Sequence, residues 1–171
     1  MPQFRTSRRV AHSAADMFNL VADVERYPEF VPLCDRMVVR GRRMEGGQEI
    51  VTATMTVVYK VLRESFTSRI VLARDRQEIR VSYIDGPFKH LENVWLFRPV
   101  DTDSCEVGFR IAYEFRSRVL QSVMGKVFDK AFRKFADAFE ARADQIYGRR
   151  REAPGRQTAV KAAAVKGSQS A

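Results

Sequence analysis

A chain of 171 residues, 45% apolar and 30% charged, is long enough to bury one substantial core and too short for two full domains. No stretch approaches the ~18 uninterrupted apolar residues of a membrane span, and Met1 to Ser13 lacks the apolar run of a secretory leader, so a cytoplasmic chain is expected. The net charge of +9 divides unevenly, with +5 on Arg149 to Ala171 and +4 on the 148 residues before them, so it is not by itself a nucleic-acid signature.

In chain order, Gln3 to Ala11 reads as a first strand. Ser13 followed three residues later by Asp16 then opens a short helix to about Val24, with Ala14, Met17, Phe18, Val21 and Ala22 at helical spacing. Pro28 and Pro32 confine the next segment to at most another turn or two of helix. The pattern then becomes period two for some eighty residues. Six strands are expected: Cys34 to Arg43, Gln48 to Tyr59, Leu62 to Leu72, Gln77 to Ile84, Leu91 to Arg98 and Cys105 to Phe115. Short turns between them imply an antiparallel meander. Within it, Val51, Ala53, Met55, Val57 and Tyr59 form an inward row, and the intervening threonines are expected to face water. A long helix from Ser117 or Arg118 to Tyr147, stopped by Gly148, carries a wide stripe that includes Phe128, Phe132, Phe135 and Phe139. The final segment, Arg149 to Ala171, has no aromatic residue and is rich in Ala, Gly, Ser, Gln and Lys, a composition that predicts a disordered basic tail.

One strand, short helices, six more strands and a long helix predict an α+β domain over residues 1–148, in which a curved sheet closes around the last helix and leaves a space between them. Catalytic constellations are scarce. Cys34 and Cys105 lie 71 positions apart without a close His, which disfavours a disulfide framework or zinc site, and no phosphate-binding glycine loop is present. The two histidines, His12 before the first helix and His90 after Pro87, read as surface or loop residues. Glu64 falls on the same face as Leu62, Phe66 and Ile70; it meets a cation or hydroxyl inside, makes a structural ion pair, or reaches solvent at a bulge. Asn93, Ser68, Tyr59 and Tyr83 are the other polar groups expected to point inward.

Four motifs occur in order: Asp23-Val24-Glu25-Arg26-Tyr27-Pro28-Glu29-Phe30-Val31-Pro32-Leu33-Cys34, then Arg63-Glu64-Ser65-Phe66, then Gly86-Pro87-Phe88-Lys89-His90-Leu91 with Trp95 and Phe97, and finally Phe115-Arg116-Ser117 leading to Phe139-Glu140-Ala141-Arg142-Ala143. Together they resemble the coenzyme Q-binding branch of the START-type polyketide cyclase/dehydrase and lipid transport domains, a family that also includes the ribosome association toxins. Leu33 stands where many relatives have Trp. The resemblance implies a helix-grip fold and non-catalytic binding of a polyprenyl quinone such as ubiquinone, with no cofactor required, in support of respiration and quinone biosynthesis. The alternative it carries is a ribosome-associated factor that binds the large subunit.

Combined with the residue pattern, the resemblance predicts a cavity lined by Phe30, Val31, Leu33, Met55, Val57, Phe66, Trp95, Phe97, Phe109, Tyr113, Phe128, Phe132 and Phe135, with Glu64 and Asn93 as polar members. Phe88 and Lys89 are expected at the mouth, in peripheral contact with an anionic membrane.

Overall fold

The computed structural model describes residues 2–148. The basic tail anticipated from Arg149 onward lies outside the described residues. Strand β1 (Gln3–Val10) leads through His12 into helix α1 (Ala14–Ala22), and a 3₁₀ helix follows over Val24–Glu29. Six strands come next: β2 (Cys34–Glu45), β3 (Gln48–Tyr59), β4 (Leu62–Ala73), β5 (Glu78–Asp85), β6 (Phe88–Asp101) and β7 (Ser104–Phe115), and α2 (Arg118–Tyr147) closes the domain. All seven strands form one antiparallel sheet in the order β1-β7-β6-β5-β4-β3-β2, as the expected meander requires.

Local chemistry explains the helix ends. The Ser13 hydroxyl accepts from the Asp16 amide at 3.0 Å, and the Ser117 hydroxyl accepts from the Leu120 amide at 3.1 Å, each satisfying a donor that the first helical turn leaves unpaired. Gly148 at φ +82 ends α2, where its amide donates to the Asp144 carbonyl. Successive turns of the meander fall at opposite ends of the sheet: the β2–β3, β4–β5 and β6–β7 connections at one end, and the β3–β4 and β5–β6 connections with the start of α2 at the other.

The sheet curves around α2 with the help of register breaks at Cys34/Arg36, Val39/Gly41, Thr67/Ser68, Phe88/His90 and Pro99/Asp101. Helix α2 packs against α1, β1 and β7, leaving its other flank, toward β3–β5, to be bridged by side chains alone. Its C-terminal half is pinned by polar contacts. Arg8 of β1 pairs with Asp137 at 2.7 Å and Glu140 at 3.0 Å, and Arg142 pairs with Glu29.

Three expectations are corrected. His12 is not a surface histidine: it is fully buried, with Nε2 at 2.7 Å from Asp144 Oδ1 and its ring 6.3 Å from that of Tyr147, so it clamps the start of α1 to the last turns of α2. Thr56 does not face water; it is buried on the outer face and shares a 2.8 Å hydrogen bond with Ser65 across the β3–β4 pair, beside a matching Thr54–Thr67 bond. Phe88 is 1% exposed, within β6 rather than at a turn tip, so it touches no membrane. The bulge at Lys89 reverses the alternation: Phe88 pairs inward with Phe115, His90 pairs outward with Glu114, and Leu91 pairs inward with Tyr113.

Two buried thiols and two tyrosines complete the core. Burial pushes Cys34 and Cys105 each up to about 11 and Tyr113 up to about 12, and carries Tyr27 further above its ordinary range. These groups ionise first in the unfolded chain, so the stability they favour is present below the unfolded thiol range and is lost as pH rises toward the folded values. Unfolding midpoints are therefore expected to hold through neutrality and to fall between pH ~9 and ~11, measured by denaturant titration across that window. A flat profile there would show that these side chains already meet solvent.

Gly86 gives a second test. Its φ is +143, and a Cβ there would lie 2.7 Å from Phe66 Cβ and 2.9 Å from Phe66 Cα. Gly86→Ala is expected to cost about 2 to 4 kcal/mol, seen as a midpoint lowered by several degrees, because it adds backbone strain to a clash with β4 that no flexible side chain relieves.

Candidate ligand-binding site

The space left between sheet and helix is a true cavity. Its volume is about 110 Å³, several times the ~10–15 Å³ that admits one water, and its wall draws on α1, the 3₁₀ segment, β2 to β7 and α2. Each inward row reaches it through strand alternation: Ala53, Met55 and Val57 from β3, Phe66, Ser68 and Ile70 from β4, Ile79 and Val81 from β5, Leu91, Asn93 and Trp95 from β6. Helix α2 contributes Phe128, Phe132, Phe135 and Phe139, successive steps of three or four residues that keep one face toward the sheet, with Ala131 beside them.

Aromatic edges make the wall rigid. Trp95 meets Phe109 at 4.7 Å and Phe139 at 4.9 Å between ring centres, and Phe132 meets Phe128 at 5.6 Å and Phe135 at 5.3 Å, all in tilted or edge-on geometry. Pro32 and Leu33 close one side of the cavity. Leu33 holds φ +70, a left-handed conformation unusual for a branched side chain, and its carbonyl accepts from the Val58 amide at 3.0 Å. Pro32, Leu33 and Ala131 also border an outer groove of about 300 Å³ lined by Tyr59 and Val127, which lies on the far side of these residues between α2 and the end of β3.

Of the expected lining residues, Val31, Leu33, Met55, Val57, Phe66, Asn93, Trp95, Phe109, Phe128, Phe132 and Phe135 reach the cavity. Four do not. Phe97 points inward but is spent against Phe18 and Trp95. Tyr113 lies in a neighbouring aromatic cluster and donates to the Gly125 carbonyl at 3.2 Å. Phe30 packs edge-on against Phe139 at 5.0 Å, under the Arg142 guanidinium. Glu64, opposite Val57 near the start of β4, is half-buried and outside the lining. Val21, Val24, Tyr27, Met37 and Ile111 line the cavity outside the expected set; Tyr27 is visible in the first motif, but helical spacing alone does not tell cavity from core.

The lining contains no Asp, Glu, His, Lys, Arg or Cys. Its polar groups are mostly committed: the Tyr27 hydroxyl donates to the Val21 carbonyl at 2.6 Å, and Asn93 donates to the Arg110 carbonyl at 2.8 Å while accepting from Trp95 Nε1 at 3.1 Å. Ser68 is the exception. Its side chain is buried and its Oγ has no hydrogen-bond partner among the described residues. Neither is there, among those residues, a group of three His, Cys, Asp or Glu able to hold a metal ion. No helix of the described residues is long and apolar enough to cross a membrane.

Known proteins share this arrangement. The sequence model of the polyketide cyclase / dehydrase and lipid transport family matches residues 10–140. The ribosome association toxin RatA of Vibrio cholerae is 36% identical over 148 residues, 86% of this chain and 99% of its own length. The coenzyme Q-binding protein COQ10 homolog B of Xenopus laevis, a mitochondrial protein, is 31% identical over 151 residues, 86% of this chain and 60% of its own. Among solved structures, an 18 kDa protein from Caulobacter crescentus superposes with a TM-score of 0.71 at 35% identity, covering 86% of this chain and 99% of that one. A START superfamily protein from Mycobacterium smegmatis superposes at 0.70 with 20% identity, covering 84% and 97%, which bears on the fold alone. By its sequence, the chain belongs to the polyketide cyclase / dehydrase and lipid transport family, and its fold is the START-like helix-grip.

Proposed function

We propose that the domain binds a polyprenyl quinone or a closely similar lipid and shields it from water, without acting on it chemically. The observation that carries this reading is an apolar cavity with one free hydroxyl. A wall without carboxylate, imidazole, amine or thiol gives the Ser68 hydroxyl no base to activate it, and the Tyr27 hydroxyl is engaged by the Val21 carbonyl. It does have what a ligand of mixed character needs: surface for an isoprenoid chain, and at Ser68 a single donor or acceptor for a carbonyl or methoxy oxygen. Each buried methylene contributes about 0.8 kcal/mol, so one five-carbon prenyl unit supplies roughly 3 to 4 kcal/mol, and further units extend along the outer groove. The coenzyme Q-binding name of the Xenopus relative supports the same ligand class.

A second reading rests on a different observation: the Vibrio relative, matched over nearly its whole length, is named for ribosome association. On that reading basic surface groups contact large-subunit phosphates and the cavity is incidental.

Protein purified without detergent is expected to release a polyprenyl quinone on solvent extraction, identified by mass spectrometry. Trp95 is the chain's single tryptophan and lines the cavity, so its fluorescence follows titration with decylubiquinone. Val57→Asp, which puts a charge on the inner wall, is expected to abolish quenching while leaving any cosedimentation with the large ribosomal subunit intact. Ser68→Ala is the milder companion. It removes a hydroxyl that has no protein partner, so the empty protein keeps or slightly gains stability, while decylubiquinone affinity falls about five- to tenfold. Extracts free of lipid, together with unaltered quenching in both variants and salt-sensitive binding to the large subunit, would favour the ribosome reading instead.

A further inference from the structure

Residues Val119 to Lys134 of α2 display a face that the cavity does not use. Lys126, Lys130 and Lys134 stand four residues apart, all exposed, and all border the outer groove. None has a carboxylate within ion-pair distance among the described residues, in contrast to Lys89, which pairs with Glu114. Val119 and Val123 lie 73% and 46% exposed, and with Val127 they repeat the same four-residue step. At ~100° per residue these lysines and valines share about a third of the helix circumference. Asp129, the acidic residue of this stretch, flanks the face about 60° round the helix from Lys126 and is held by Arg133 at 3.2 Å.

The β3–β4 turn continues this face beyond the groove. Tyr59 floors the groove, and the next two residues form the turn: Lys60, whose ammonium sits 5.3 Å above the Tyr59 ring, and Val61, which is 96% exposed. That turn shares its end of the sheet with the start of α2.

We infer that the row Lys126, Lys130 and Lys134, with the Lys60–Val61 turn beside it, docks the domain on an anionic bilayer and sets the cavity entrance against the lipid. The inference rests on the lipid-binding reading and adds where the lipid crosses. Charge decides the sign of the partner, since unpaired ammonium groups at one rim attract lipid phosphates, each worth about fivefold in affinity near a charged membrane. The valines decide between a bilayer and a nucleic acid. Exposed aliphatic side chains interleaved with lysines suit an interface where acyl chains begin, whereas RNA recognition draws on arginine forks and exposed aromatic rings for stacking. Proximity to the cavity points the same way: Pro32, Leu33 and Ala131 border both spaces, so the docking face lies one layer of side chains from the cavity.

The test uses the full chain in flotation with phosphatidylcholine vesicles, with and without about one third phosphatidylglycerol. The wild type is expected to float with the anionic vesicles and to be released by salt. The variant K126Q/K130Q/K134Q is expected to lose roughly a hundredfold in affinity for them, while retaining decylubiquinone quenching in solution. A charge-matched control, R43Q/R76Q/R98Q, removes three positive charges from the opposite end of the sheet and is expected to change flotation by much less; residues 149–171 are the same in every variant, so their contribution cancels. Val61→Asp, at a fully exposed turn, is expected to weaken flotation without affecting the fold. Equal losses in the lysine variant and the control would overturn the inference while leaving the cavity reading intact. Lysine-dependent flotation without quinone quenching in any protein would uphold the docking face and remove the quinone. Absence of flotation, with the same lysines needed for binding to the large ribosomal subunit, would overturn it in favour of an RNA-facing surface.

Discussion

A single helix cannot cover a seven-stranded sheet. At ~4.8 Å between neighbours the sheet is about 29 Å across, whereas a helix with its side chains is ~10 Å wide, so one apolar face has too little cover. Curvature narrows the gap, and α1 covers part of β5, β6 and β7. What remains is spanned by phenylalanines, because a ring on α2 reaches further than an aliphatic side chain and still packs edge-on against rings from the sheet. The cavity is the residue of this geometric mismatch. Interiors are otherwise close-packed, so an apolar space of this size is retained only where the surrounding framework is held from elsewhere.

Here it is held from the far end of α2. The clamps at Arg8, Glu29 and His12 all engage residues between Asp137 and Asp144, and two of them fix charged groups whose loss leaves a partner unpaired. Toward the start of the helix the polar ties are lighter: the Ser117 cap, Gln121 accepting from the Phe115 amide at 2.9 Å, and the Tyr113 hydroxyl on the Gly125 carbonyl. The half of α2 that is less firmly tied is the half that borders the groove.

Much of this is legible in the sequence, because strand alternation and helical spacing are direct records of which face is buried. The inward rows of β3, β4 and β6 and the phenylalanine stripe of α2 lie where those periods put them. What the periods do not record is depth. Phe97 and Tyr113 share their rows with true lining residues, and only the placement of Phe18 and Gly125 on other elements determines that they are covered by protein. Phe88 escapes for another reason: one inserted residue, Lys89, reverses the phase, and a bulge leaves no compositional mark. His12 sits in a connection with no period at all, 132 positions from the aspartate that defines its role. Ser68 reads as inward-facing, but that among the polar side chains of the lining its Oγ is the one without a partner in the described residues depends on how Asn93 and Tyr27 are satisfied.

The alternation of turns between the two ends of the sheet has a bearing on how such a domain diverges. Lengthening the connections at Gly46–Gly47, at Arg74–Arg76 or at Thr102–Asp103 adds loop at the end remote from the entrance, where the cost is chiefly the slowly growing entropy of closure. The same lengthening at Lys60–Val61 or Gly86–Pro87 adds loop at the pole that carries the groove, beside Tyr59 and against Phe66. Drift in length is thus channelled to one pole of the molecule, and change at the other pole alters ligand and surface together.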